Sequence, residues 1–93
     1  MKTPSTTPPV NARYRISMNI KRYRAERHIS QEALAELADF HRTYISQLER
    51  CVTNISVDGL ERLASALGVD VQNLLEPPAI NNVASSLRKS VKK

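Results

Sequence analysis

Apolar residues recur along this chain every three or four positions, which is the spacing of helices that bury one face. The clearest stripe combines Leu60, Leu63, Ala64 and Leu67. The second stripe is shorter and consists of Leu34, Leu37 and Ala38. The pattern predicts helices over residues 12–27, 31–38, 42–50, 57–67 and 71–75. The sequence shows no strand-like alternation, so we predict an all-α fold, a compact bundle of four to five short helices.

Residues that favour helix ends stand at the borders of these stripes. Ser30, Ser56 and Asp70 have short polar side chains, which accept hydrogen bonds from the free backbone N–H groups that begin a helix. Gly68 follows the fourth helix at the position where a left-handed residue ends it. Pro77 stops the fifth helix. The predicted loops are therefore short, and we expect the helices to pack together as one domain.

Composition divides the chain into three parts. Residues 1–11 are rich in Thr and Pro and are expected to form a flexible N-terminal arm. Residues 12–76 hold the strong helical stripes and form the predicted folded domain. Residues 77–93 form a basic C-terminal tail whose apolar residues also fall at helical spacing. A helix there would pack on its own domain or on a second protomer; otherwise the tail is disordered.

The net charge of +5 is unevenly distributed along the chain. Residues 1–27 hold seven Lys or Arg residues and one acid, and residues 80–93 hold four Lys or Arg residues. Residues 28–79 hold three Arg residues against eight acids. Clustered Lys and Arg favour a polyanionic partner such as nucleic acid. A solvated helix face with a basic tail is the other reading of the same pattern.

Several classes of protein do not fit the sequence. A single cysteine, Cys51, excludes an intramolecular disulfide and suits a reducing compartment. No apolar run approaches the roughly 20 residues needed to cross a bilayer, and the first residues lack the apolar stretch of a signal peptide. We therefore expect a cytoplasmic protein. His28 and His41 have no further ligands at metal-binding spacing, and no catalytic constellation is visible. We expect no metal, no cofactor and no enzyme activity.

Residues 31–50 have the layout of two helices that cross steeply at a tight turn. Ala35 supplies the small residue that such a crossing requires, and Asp39 tolerates the left-handed conformation of the turn. Ile45 and Leu48 anchor the second of these helices to the core. Four polar residues are then left to point outward: Arg42, Thr43, Ser46 and Gln47. Polar side chains at this end of a helix can reach base edges in the major groove of DNA.

The segments SQEALAELA, RTYISQLER and LERLASALGV occur in this order within residues 26–75. In this respect the chain resembles the Xre/Cro-type, lambda repressor-like helix-turn-helix family over about residues 16–76. Among the small members it looks most like restriction–modification controller proteins, which share an RTYIS-type recognition helix. The resemblance implies a sequence-specific regulator of transcription that binds double-stranded DNA.

The resemblance also implies roles for individual residues. Arg42, Thr43, Ser46 and Gln47 occupy the positions that contact bases. Arg42 would grip guanine, the Thr43 methyl would meet a thymine methyl, and Gln47 would read adenine. The sugar–phosphate backbone would be contacted by Gln31, Tyr44, Arg50, Asn54 and Arg24.

Three of these positions have a second implied role or an alternative one. Arg24 and Glu49 match a family pair that forms a buried salt bridge between the first and third helices. Gln31 would brace the recognition helix as well as contact a phosphate. Tyr44 is either a phosphate ligand or a partial core residue.

The chain departs from the family at its turns. Family members usually place Gly after each of the first three helices, where this chain has His28, Asp39 and Cys51. His and Asp tolerate a left-handed conformation better than most residues, whereas Cys51 would be strained by about 1 kcal/mol. Ile55 stands where the family often has Pro. We expect any change of geometry to be confined to residues 51–55.

The main hypothesis is a homodimer that binds a palindromic operator with half-sites about 34 Å apart. The predicted dimer surface contains Val69, Val71 and Leu74. A second hypothesis is an antitoxin-type regulator that also binds a toxin. A third is a protein-interaction module without DNA binding.

Overall fold

The structure is a computed structural model, and it describes residues 11–77 of the chain. The predicted arm, apart from Asn11, and the predicted tail after Pro77 lie outside the described residues. Residues 11–77 form five helices and no strand, which confirms the all-α prediction for this part of the chain. The helices are α1 Ala12–Arg27, α2 Gln31–Ala38, α3 Arg42–Glu49, α4 Val57–Leu67 and α5 Val71–Leu74. Only α3 and α5 end one residue earlier than predicted.

Four of the helices begin at a capping side chain. Ser30, Ser56 and Asp70 accept backbone N–H hydrogen bonds of 2.9 Å, as their positions in the sequence predict. Asn11 caps α1 in the same way, with a bond of 2.8 Å from the backbone N–H of Tyr14. Each cap satisfies a donor that the helix itself leaves free, and such caps contribute about 1 kcal/mol. Local chemistry therefore fixes where these helices start.

The turns after α1, α2 and α3 are left-handed although none of them contains Gly. His28, Asp39 and Cys51 have φ angles of 55°, 63° and 63°. The resemblance marks these three positions as usual Gly sites, and the left-handed conformation is present here with other residues. The cost falls mainly on Cys51, because its side chain offers the backbone no compensating hydrogen bond of the Asp or Asn type.

The core lies where α1, α2, α3 and α4 meet, and α5 closes one end of it. Its fully buried large residues are Ile20, Leu34, Ile45, Leu63, Leu67 and Leu74. The prediction that Leu37 faces the core is wrong, since it is 63% exposed. Ala35 and Ala38 are 3% and 2% exposed. They are small enough for neighbouring helices to approach, so they set the buried face of α2 and turn Leu37 towards solvent.

The prediction that Leu74 belongs to a dimer surface is also wrong. Leu74 is 0% exposed because α5 packs it against the core of its own domain. A helix of only four residues needs such an anchor to stay in place. Val69 and Val71 are half-buried and keep part of their apolar surface open.

Candidate DNA-binding surface

The helices α2 and α3 form the predicted helix-turn-helix. Ala35 is buried at the crossing, and Asp39 makes the turn in the left-handed conformation. Phe40 then donates its backbone N–H to the carbonyl of Ala35 over 2.8 Å, which closes the end of α2. Ile45 and Leu48, at 0% and 3% exposure, fasten α3 to the core. The opposite side of α3 is thereby turned away from the protein.

The outer edge of α3 carries the four predicted base-contact residues. Arg42 and Thr43 are exposed, and Ser46 and Gln47 are half-buried. Residues one turn apart on a helix lie on the same face, so these four side chains form one continuous polar edge. The edge offers a guanidinium fork, two hydroxyl groups and an amide, which are the groups that read bases in the major groove.

A buried salt bridge holds the C-terminal end of α3. Arg24 of α1 donates to Glu49 through Nε over 2.7 Å and through Nη2 over 3.0 Å, which confirms the predicted pair. Hydrogen bonding to Glu49 raises the pKa of Arg24 above its usual value. Arg24 also donates from Nη1 to the carbonyl of Ile29 over 3.0 Å. Three of its five N–H groups are used in this way, and its contact with DNA phosphate stays a prediction.

Gln31 connects this salt bridge to the outer edge. Its Nε2 donates to Glu49 over 3.0 Å, and its Oε1 accepts a longer bond of 3.4 Å from Arg42. The predicted bracing of the recognition helix by Gln31 is therefore confirmed. The carboxylate of Glu49 fixes which end of the amide faces Arg42, because only the NH₂ end can donate to it. The phosphate contact of Gln31 stays a prediction.

Tyr44 packs at the edge of the core, and its contact with DNA phosphate stays a prediction. Its hydroxyl donates a short hydrogen bond to the backbone carbonyl of Asn54, and its ring lies 4.9 Å from that of Phe40. In this structure the single O–H of Tyr44 is used by that carbonyl, so a contact with phosphate would require the hydroxyl to exchange its partner. Burial raises the pKa of this hydroxyl, and the charge of Arg62 offsets part of the effect. The reading of Tyr44 as a partial core residue is confirmed, since it is half-buried and packs against the core.

The loop after α3 presents the other predicted backbone contacts. Arg50 and Asn54 are both exposed, and their contacts with DNA stay predictions. The loop is closed by a 3.0 Å bond from the backbone N–H of Val52 to the carbonyl of Gln47. Ile55 is half-buried against the core. An apolar anchor thus takes the place that Pro often has in the family, and Asn54 remains on the surface.

Two residues that support this surface were not predicted. Ser17 of α1 is 1% exposed and donates to the backbone carbonyl of Glu49 over 2.7 Å. Its position next to Ile16, on the buried side of α1, is the only signal in the sequence that could have identified it. Arg62 of α4 donates to the carbonyls of Ala38 and Asp39 at the turn. No local pattern marks it.

The fold and this surface define a helix-turn-helix DNA-binding domain. The chain belongs to the helix-turn-helix family HTH_3, which matches residues 20–74. It is 40% identical over 73 residues to the control protein C.BamHI of Bacillus amyloliquefaciens. The aligned residues cover 77% of this chain and 90% of that protein.

Two solved structures extend the similarity. The restriction–modification controller protein C.AhdI of Aeromonas hydrophila superposes with a TM-score of 0.64 at 29% identity, over 67% of this chain and 94% of that one. The biofilm master regulator SinR in complex with DNA gives a TM-score of 0.62 at 40% identity, over 66% of this chain and 98% of that one. The family and these relatives are regulators and not enzymes.

Two further observations concern residues 11–77 alone. None of the helices in this range is both long enough and apolar enough to span a membrane. In the same range no three His, Cys, Asp or Glu side chains are grouped so that they could hold a metal ion.

Proposed function

We propose that this protein is a sequence-specific regulator of transcription that reads double-stranded DNA with the outer edge of α3. The observation that carries the proposal is the continuous polar edge formed by Arg42, Thr43, Ser46 and Gln47. The opposite face of α3 is buried, and Gln31 of α2 holds the C-terminal end of α3 through its hydrogen bond to Glu49. A helix fixed in this way presents its side chains to DNA with little loss of conformational freedom.

Individual contacts follow from the chemistry of each side chain. The fork of Arg42 matches the N7 and O6 acceptors of guanine, and the amide of Gln47 matches adenine. The methyl of Thr43 suits the methyl of thymine. Arg50 and Asn54 are exposed on the loop that follows, where they would contact the DNA backbone and set the register.

The proposal includes a homodimer on a palindromic operator. One such domain reads only a few base pairs, and a two-fold pair doubles the recognised length with half-sites about 34 Å apart. Val69, two residues before α5, and Val71, its first residue, are half-buried and supply apolar surface for the pair. The similarity to C.BamHI and C.AhdI favours a controller-type regulator. Such a protein acts where the DNA is, in the cytoplasm of a bacterial cell.

Selection of bound duplexes from a random DNA pool tests this function. We expect one palindromic sequence to be enriched, and gel-shift titrations of that sequence to weaken steeply as salt rises. Replacing both Arg42 and Thr43 with Ala is expected to remove the preference at the base positions that these two side chains contact and to weaken binding to the selected sequence. The matched control replaces Lys21 and Ser65, which are exposed on α1 and α4 and change the charge equally. Binding without any preferred sequence would refute the proposal.

Neither the antitoxin hypothesis nor the interaction-module hypothesis has support from the relatives described above. The relatives described above are DNA-binding regulators, and among residues 11–77 no surface distinguishes a toxin or another protein as the partner.

A further inference from the structure

The turn between α2 and α3 determines where Arg42 and Thr43 stand, and Arg62 of α4 holds that turn. Its Nε donates to the carbonyl of Ala38 over 3.0 Å, and its Nη2 donates to the carbonyl of Asp39 over 3.1 Å. These two carbonyls belong to the last residue of α2 and to the left-handed residue that follows it. One guanidinium fork thus spans the point at which the chain changes direction.

The same guanidinium also stacks on an aromatic ring of the turn. Its central carbon lies 4.2 Å from the ring centroid of Phe40. The ring of Phe40 also lies close to the backbone of α4 at Gly59, where an added Cβ would come within 3.2 Å of the Phe40 Cζ atom. Phe40 in turn contacts the ring of Tyr44 in α3. Arg62 is therefore linked to the recognition helix through the turn backbone and through these two rings.

Neither α2 nor α3 stabilises its end at the turn with a basic or capping side chain of its own. Within the described helix α2, no residue of the last turn is basic, although a cation is favourable at that end of a helix. No side chain among residues 11–77 caps the start of α3 at His41. Arg62 supplies from α4 a positive charge and hydrogen bonds to the carbonyls of Ala38 and Asp39.

We propose that Arg62 is a positioning residue for DNA recognition, which acts by fixing the α2–α3 turn and so the placement of Arg42 and Thr43 on the bases. This inference rests on the proposed function. Arg62 itself contacts neither bases nor phosphates in this account. Two other roles for Arg62 would give different results on its substitution. If Arg62 were a phosphate ligand, the salt dependence of binding would change. If it only stabilised the domain, only the folded fraction would change.

The test compares Arg62→Gln with a matched variant, Arg27→Gln. Arg27 also donates to a helix C-terminal carbonyl, that of Leu67, over 2.7 Å, and it lies 5.0 Å from the ring centroid of Tyr23. Both substitutions remove one positive charge, hydrogen bonds to backbone carbonyls and a contact with an aromatic ring. Arg27 lies away from the turn and also pairs with the exposed Glu26 over 3.4 Å. Both proteins are assayed as the full chain, on the selected operator and on unrelated DNA, at a temperature at which circular dichroism shows each to be folded.

We expect Arg62→Gln to lower operator affinity at least about tenfold, which is the loss of one good base contact. Arg27→Gln should stay within about twofold of wild type. Affinity for unrelated DNA and the slope of log K against log salt should be the same for both variants. In a background that already lacks Arg42 and Thr43, Arg62→Gln should have no further effect, because the residues through which it acts are gone.

Equal operator affinity of the two variants would overturn the proposal. A salt slope about 0.9 smaller for Arg62→Gln than for Arg27→Gln would show a phosphate ligand and overturn it too. If Arg62→Gln does not fold, Arg62→Lys replaces it. Lysine keeps the charge but cannot span two carbonyls with a planar fork, so reduced operator affinity is expected and wild-type affinity would contradict the proposal.

Amide hydrogen exchange in the free protein separates this inference from the function on which it rests. Arg62→Gln should speed exchange at residues 43–46 by about tenfold relative to Arg27→Gln, because local opening at the turn becomes easier. Equal exchange in the two variants would contradict the positioning role. Should wild type show no sequence preference, the proposed function fails, and the exchange experiment still decides whether Arg62 fixes α3.

Discussion

Removing Arg24 should destabilise the domain more than removing its partner Glu49 does. The carboxylate side chain is only 6% exposed, whereas the Arg24 side chain is 21% exposed and lies nearer to water. Replacing Arg24 with Ala strands a buried negative charge. Replacing Glu49 with Gln strands a cation that can still be hydrated. The two halves of one salt bridge are therefore not equivalent.

The magnitudes follow from the contacts that remain. A buried charge that loses its partner typically costs about 3–5 kcal/mol. Glu49 keeps one hydrogen bond of 3.0 Å from Gln31, and a bond to a charged group offsets part of that cost, so we expect about 2–4 kcal/mol for Arg24→Ala. For Glu49→Gln we expect about 1–2 kcal/mol, since the new amide still offers one acceptor to Arg24. Either value is a large share of the stability of a small domain.

Urea denaturation followed by circular dichroism at 222 nm measures both changes. The slope of the unfolding free energy with urea must be the same in all variants for the comparison to hold. A double variant, Arg24→Met with Glu49→Leu, is the control. It removes both charges and should be more stable than Arg24→Ala, because no charge is left unpaired.

The expected difference between the two halves of the salt bridge is refuted if Glu49→Gln lowers the free energy of unfolding as much as Arg24→Ala does, or more. It is also refuted if Arg24→Ala costs less than about 1 kcal/mol, a value typical of a solvent-exposed ion pair.

Three further predictions use simple measurements. Cys51→Gly should raise stability by about 0.5–1 kcal/mol, because φ is 63° there; a lower urea midpoint would contradict the strain. Leu34→Ala should cost about 2–5 kcal/mol, whereas Leu37→Ala should cost less than about 0.5 kcal/mol at 63% exposure; equal losses would contradict the observed face of α2. Arg50→Gln should weaken binding to all DNA sequences alike and reduce the slope of log K against log salt by about 0.9 per site. An unchanged slope would show that Arg50 does not contact the DNA backbone.

Helix positions could be predicted because their determinants are local. Ser30, Ser56 and Asp70 cap helices within three residues of their own position, so the sequence shows both partners of each hydrogen bond. The left-handed turns were expected from the resemblance, which marks the usual Gly positions. The pairing of Arg24 with Glu49 also came from the resemblance, since a separation of 25 residues has no local pattern.

The features that the sequence did not predict depend on contacts between residues that lie far apart in the chain. Leu37 fits an apolar stripe, but the direction in which a two-turn helix faces is set by which of its residues allow other helices to approach. Leu74 was assigned to a surface because the pattern of a four-residue helix does not show what covers it. The hydrogen-bond partner of Tyr44 could not be predicted either, because it is a backbone carbonyl ten residues away and a carbonyl carries no signal in the sequence. Arg62 was missed for the same reason.

Repeating the selection from random DNA with Arg42→Ala tests the central claim most directly. If the outer edge of α3 reads bases, the variant should lose its preference at one position in each half-site and keep its preferences elsewhere, with a loss of about 1–3 kcal/mol on the original operator. Enrichment of the same sequence with an undiminished preference at every position would contradict the account.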